Sequence, residues 1–238
     1  MNALDDWLER QWAVTPEAFS VMVEGAAIAC RGWNLGAVDL PGIVLVHGFR
    51  AHAHWWDHIA PSLAGRFRVV ALSLSGMGDS ARREHYSSGQ FGREITALLA
   101  ASAQAGDISR LIVIDCGLAP ENGPAHEMDT NPQRMYPSRD AALGRFRLLP
   151  EGPSPVPKVR DYIAHHSIRE ESDGWTWKFD PQQGRSLNED AQRVNLPPVH
   201  IPVDVILGEQ TSIMMPPNLA ELVRITTDLG PPVVNPAS

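Results

Sequence analysis

Disulfide chemistry has almost no material in this chain. Of its 238 residues two are cysteine, Cys30 and Cys116. Each lies in an apolar, strand-like surrounding, so both read as buried reduced thiols rather than as partners in a cross-link. Long hydrophobic runs are lacking as well, and no stretch approaches the roughly 20 apolar residues that a membrane-spanning helix needs. The first ten residues, MNALDDWLER, carry acidic side chains where a secretory leader carries basic ones. Positive charge is in deficit: 20 Lys and Arg stand against 28 Asp and Glu, for a net charge of −8, which argues against nucleic acid or an anionic membrane as partner. These absences predict a cytoplasmic protein that meets small molecules. What is present, 43% apolar and 20% charged residues, suits one globular domain with a sizeable core.

The chain is organised around residues 42–80. Residues 43–46 (IVLV) form an apolar run too short for a helix and too apolar for a half-exposed strand, so they read as a buried parallel strand. His47-Gly48-Phe49-Arg50 breaks that run, a helix-like segment follows over 54–63, and a second apolar run over 69–74 ends in Ser75-Gly76-Met77-Gly78-Asp79-Ser80. A strand–helix–strand unit of this kind places both turns at the strands' carboxyl ends, where open α/β sheets bind ligands.

The His47-Gly48 turn after a buried strand, the His54-Trp55-Trp56 segment and the Ser-Gly-Met-Gly-Asp-Ser turn, in that order, resemble the start of an α/β-hydrolase-fold protein of the esterase or lipase-like kind. The strands RLIVIDCG (110–117) and VDVILGEQ (203–210) extend the likeness. The resemblance implies an α/β fold: a doubly wound, mostly parallel sheet with a helical cap inserted late in the chain. It implies residues 1–120 as the N-terminal part of the core, 121–199 as a cap or lid, and 200–238 as the C-terminal part of the core. It also implies an oxyanion site and pocket wall from His47, Gly48, Phe49, Arg50 and Trp55, activity on carboxylic esters or similar small acyl substrates, and no cofactor. Ser73 stands where the family's second turn has Asp, and Met77 where it has His.

Two parts of the family pattern find no match. The nucleophile elbow needs a small residue two positions before and two after the nucleophile, because strand and helix crowd there, and no serine in the chain has glycine at both places. Ser80 comes nearest and reads instead as an N-cap for a short helix. Residues 91–105, periodic enough for a helix, run through 106–109 straight into residues 110–116, so a βα unit of about 20 residues is missing from the middle of the sheet. The final histidine, His200, precedes the penultimate strand, so the late catalytic His has no counterpart.

The remaining candidates are Cys116, which would stand at a strand's carboxyl end if residues 111–115 filled the vacant position, Asp115 as an acid at that strand end, and Glu209 as the carboxylate nearest the usual acid position. His54 and His58 have the spacing of zinc-binding helices, but Trp55 replaces the general-base Glu and no third ligand is evident, so no metal is assigned. His165 and His166 lie on a helix, one facing solvent and one packing. The expected function is hydrolase ancestry with activity lost or much reduced, the alternative being a non-catalytic small-molecule-binding homologue or a deletion product. A sheet short of a central strand exposes apolar faces, which predicts self-association.

Overall fold

The structure, a computed structural model, describes residues 2–102, 108–115, 133–148, 156–191, 200–208 and 233–235. In chain order the elements are α1 (Ala3–Trp12), β1 (Glu17–Val23), β2 (Ala26–Trp33), β3 (Gly42–Leu45), a 3-10 turn (Ala53–Trp56), α2 (Ala60–Leu63), β4 (Arg68–Leu72), α3 (Ser88–Ser102), β5 (Leu111–Ile114), α4 (Arg139–Leu143), α5 (Pro157–His166), β6 (Ile168–Glu171), β7 (Gly174–Trp177), α6 (Gln182–Ala191), β8 (Val203–Gly208) and β9 (Val233–Asn235). They fall into two compact units: Met1–Ala105, Thr130–Arg147 and Val156–Gln183 form one, and Gly106–Asp129, Leu148–Pro155 and Gly184–Ser238 the other.

In the first unit, α1 starts because Asn2 accepts the N–H of Asp5 at 2.8 Å and Asp5 and Asp6 face the positive end of the helix. β1 and β2 form a hairpin, turned at Glu24 and Gly25, both at positive φ (46° and 80°), the pairing of signs that matches the twist of two adjacent strands. The four-stranded sheet has the order β1-β2-β4-β3, with β2 antiparallel and β3 parallel to β4. Val69 and Ala71 of β4 pack against Trp33, Ala53 and Ala60 on one face, while Val70 and Leu72 pack against Ile28, Met77 and Leu98 on the other. That double coverage is why β4 is an uninterrupted apolar run. β3 is less buried than its sequence predicts because it is the last strand of its sheet and pairs with β4 alone among the described strands, although Ile43 and Leu45 pack on one face and Val44 on the other.

Two local readings are corrected, and a third feature concerns β7. The helix expected over 54–63 is broken into a 3-10 turn and the single turn α2, because Pro61 has no N–H to continue a helix from Asp57. Ser80 caps no helix: its hydroxyl donates to Ser73 O at 2.5 Å and accepts Ala29 N–H at 2.8 Å, tying the turn after β4 back to β2. In β7 the buried side is that of Thr176, whose hydroxyl donates to Arg134 O at 2.9 Å, while Trp175 and Trp177 are half-buried. Trp177 instead meets the rings of Tyr136 and Phe146.

The second unit holds a parallel sheet of order β5-β8-β9. Among the described residues α3 is followed directly by β5, with no strand between them. No described helix is long and apolar enough to cross a membrane.

Candidate functional site

The carboxyl ends of β3 and β4 carry the two turns picked out in the sequence, and polar side chains lock each turn. His47 is buried. The N–H of Leu74 donates to its Nε2 at 3.0 Å, so the ring's own proton sits on Nδ1, which donates to Gly48 O at 2.7 Å. Burial pulls its pKa down to about 4 against the support of the Gly48 carbonyl. His47 is thus a neutral cross-tie between the two turns. Gly48 O also accepts Ala51 N–H. Phe49 is exposed, and Arg50, at φ 57°, lays its guanidinium over the rings of Phe49 and Phe179. Trp55 is half-buried.

In the turn after β4, the two departures from the family pattern are accommodated. Ser73 accepts Ala53 N–H at 3.0 Å, so it fastens the turns together without a charge, and Met77, 1% exposed, joins the core on the Leu72 side. Gly76 and Gly78 are at positive φ (72° and 54°), and a Cβ on either would lie within 2.4 Å of Tyr86 Oη or 2.6 Å of Ser73 Oγ. Under this turn Glu94, fully buried, accepts Ser75 N–H at 2.9 Å and Arg83 Nε–H at 3.2 Å. Tyr86 donates to Asp180 at 2.7 Å, and burial together with that carboxylate raises its pKa.

Beside these turns stands a cluster of rings and carboxylates. Asp57 accepts Arg31 Nε–H at 2.7 Å, His54 Nδ1–H at 2.8 Å and the Tyr162 hydroxyl at 2.7 Å. Burial works to raise its pKa, yet the bonds from His54 and Tyr162 and the charge of Arg31 hold it below the ordinary carboxylate value. Asp79 lies 3.7 Å from His54 Nε2 and pairs with Lys178 at 2.5 Å. The His54 contact first, and then Lys178, holds its pKa well below the usual range against the effect of burial. His54 is therefore engaged by Asp57 and faces Asp79. No group of three metal-ligating side chains stands together among the described residues.

One histidine does meet a serine here: His52 Nε2 lies 2.9 Å from Ser167 Oγ. The polarity is opposite to that of a nucleophile and its base. The Ser167 proton goes to Ile163 O at 2.7 Å, so Oγ accepts from His52 Nε2–H, and His52 Nδ1 is a buried lone pair without a partner among the described residues. Burial drives the His52 pKa down to about 2, with His54 adding to the effect. Ser167 follows the last turn of α5 rather than a strand-to-helix bend.

Of the other sequence candidates, Asp115 ends β5 in the second unit at φ 44°, with one carboxylate oxygen buried and unpartnered among the described residues. Cys116 and Glu209 lie outside the described residues. Cys30 is buried and free, its thiol pushed up to about 12 by burial. His165 is exposed while His166 packs, as its helical position predicts. Sequence reasoning missed Asp57, Asp79 and Tyr162. The spacing of His54 and Asp57 was a usable signal, but Tyr162 is 105 positions from Asp57 and nothing local announces it.

Known proteins agree with this architecture. Residues 41–114 match the family described as alpha/beta hydrolase fold. A fluoroacetate dehalogenase from a Burkholderia species is 40% identical over 42 residues, 18% of this chain and 14% of that protein, so the chain matches only a small part of that relative's length. Among solved structures, a thioesterase domain from the curacin biosynthetic pathway superposes with a TM-score of 0.74 at 20% identity, covering 94% of this chain and 93% of that one. A Mycobacterium tuberculosis esterase superposes at 0.66 and 21% identity, covering 99% and 89%. The order β1-β2-β4-β3, the parallel strands that follow and these likenesses show that the chain has the α/β-hydrolase fold.

Proposed function

We propose that this chain is an α/β-hydrolase-type protein for carboxylic esters or similar small acyl substrates whose turnover is lost or much reduced. One observation carries the reading: α3 leads into β5 with no strand and no nucleophile bend between them among the described residues. The His52–Ser167 contact does not replace the absent pair, because its hydrogen bond runs from imidazole to hydroxyl. An oxyanion turn without a nucleophile and base retains only a small share of such an enzyme's acceleration. The acidic balance of the chain and its lack of long apolar runs support a cytoplasmic location.

Hydrolysis of p-nitrophenyl butyrate by the chain and by Cys116→Ala tests this. Turnover roughly 10⁴- to 10⁶-fold below that of an intact triad enzyme, and equal in both proteins, is expected. Robust turnover abolished by Cys116→Ala would overturn it. Self-association with a second copy belongs to the same reading. Leu111, Ile112 and Ile114 of the terminal strand β5 are 39%, 47% and 53% exposed, an apolar strand edge of the kind that pairs with another chain. A strictly monomeric sedimentation profile across concentrations would remove that part.

A further inference from the structure

One end of α5 is fastened to the segment after β3 by three side-chain contacts. Tyr162 donates to Asp57 at 2.7 Å, Ser167 accepts from His52 at 2.9 Å, and the ring of His166 lies face to face with that of His54, 4.0 Å away and 10° from parallel. Trp12 of α1 stacks on Tyr162 at 4.7 Å, and Tyr162 meets His166 at 4.5 Å. Rings 12, 162, 166 and 54 therefore form a continuous ladder from α1 through α5 to the 3-10 turn. Tyr162 and His166 are four apart and share one face of α5, which is why both rungs come from a single helix.

Two of those rungs are imidazoles, and face-to-face imidazoles so close cannot both carry charge cheaply. We propose that α5 is a proton-released clasp: the His166–His54 stack holds the helix over residues 52–57, and protonation of His166 opens it and uncovers that segment.

Around His166 stand His54 of the 3-10 turn, Asp57 just after it, Arg31 of β2 and Lys178 after β7. Asp79 engages the far side of His54, and His165 points to solvent. Asp57 favours a proton on His166, while His54, Lys178 and Arg31 oppose it. Burial, and next His54, bring its pKa down to about 4 from the usual value near 6.5. A ring freed with its helix titrates near 6.5. The released state therefore binds more protons between pH 6.5 and 4, so docking is complete above that window and weakens by up to about tenfold per pH unit within it.

Hydrogen exchange of peptides covering residues 157–167 and 68–72, corrected for intrinsic rates and followed from pH 7 to 4.5, tests the clasp. Opening of α5 should rise below pH 6.5, with His166 and the uncovered His52 each contributing up to about tenfold per pH unit, while β4 stays protected. His166→Phe, which keeps a flat ring against His54 without a titratable nitrogen, should remove the His166 share of that rise and leave only the share of His52. His166→Gln, which lacks the ring, should open α5 more at every pH, with the same reduced rise. Wild-type pH dependence retained in His166→Phe, or α5 and β4 losing protection together, would overturn the proposal. None of these outcomes depends on hydrolytic activity, so the clasp and the proposed function stand or fall separately.

Discussion

Leu74 donates its backbone N–H to Nε2 of His47 at 3.0 Å, and that one bond dictates the rest of the ring's chemistry. With Nε2 occupied as an acceptor, His47 holds its proton on Nδ1 for Gly48 O, and a second proton has no place without expelling Leu74. The imidazole is a fastening between the ends of β3 and β4, and its burial there pulls its pKa down to about 4.

The sign of the pH effect follows. The unfolded chain takes up a proton on His47 near pH 6.5, and the folded chain only near 4. Stability from His47 is therefore fully present above pH 6.5 and is lost as pH falls to 4, by about 3 kcal/mol across the window. Urea unfolding at pH 7 and pH 4.5 should show the loss, and His47→Gln should lose less over the same interval. Equal losses in both proteins would show that His47 is not the group responsible.

Arg83 and Glu94 form the second fastening. The guanidinium bonds Glu94 at 3.2 Å and the carbonyls of Val23 and Glu24 at 2.7 and 3.1 Å, while Glu94 also holds Ser75 N–H. Arg83→Met strips the partner from a fully buried carboxylate, so a loss of roughly 3–5 kcal/mol is expected. The double variant Arg83→Met with Glu94→Met should recover part of it. A double variant no more stable than Arg83→Met alone would refute the stranded-charge explanation.

The backbone plan was legible in the sequence where patterns are local. Residues 69–72 announce a strand covered on both faces because Val69 and Ala71 meet one layer and Val70 and Leu72 another. Glu24-Gly25 announces its hairpin, and the match of residues 41–114 covers the stretch that carried the resemblance. The helix at 54–63 was misread because spacing outweighed Pro61, whose missing N–H decides the matter. The ring cluster was not legible. His54–Asp57 is an i,i+3 pair, but its meaning depends on Tyr162 and His166, brought in from more than a hundred positions away, and long-range contacts of that kind leave no periodic trace.

Gly78 is the tightest point of the turn after β4. Its φ is 54°, and a Cβ there would lie 2.6 Å from Ser73 Oγ and 2.7 Å from His52 Cβ. Gly78→Ala must therefore adopt a left-handed conformation and displace the hydroxyl that receives Ala53 N–H. A loss of about 2–4 kcal/mol is expected from the combined strain and overpacking. A change within the roughly 0.5 kcal/mol typical of surface substitutions in the urea midpoint analysis would show that the turn relaxes freely.

Asp115 invites the opposite experiment. It closes β5 with a positive φ of 44°, which costs an L-residue about 1 kcal/mol, and it buries a carboxylate oxygen with no partner among the described residues. Its N–H still donates to Ile206 O at 2.9 Å, so the backbone position is held by the sheet rather than by the side chain. Asp115→Gly keeps that bond, removes both penalties and adds back some unfolded-state entropy. A net gain of about 1 kcal/mol is expected from urea unfolding. Strained residues with unpartnered polar atoms persist where function has selected them, so a stabilised Asp115→Gly that also loses whatever residual ester hydrolysis the chain has would mark this carboxylate as part of the site. A destabilised Asp115→Gly would mean instead that the carboxylate has a donor partner that holds it in place.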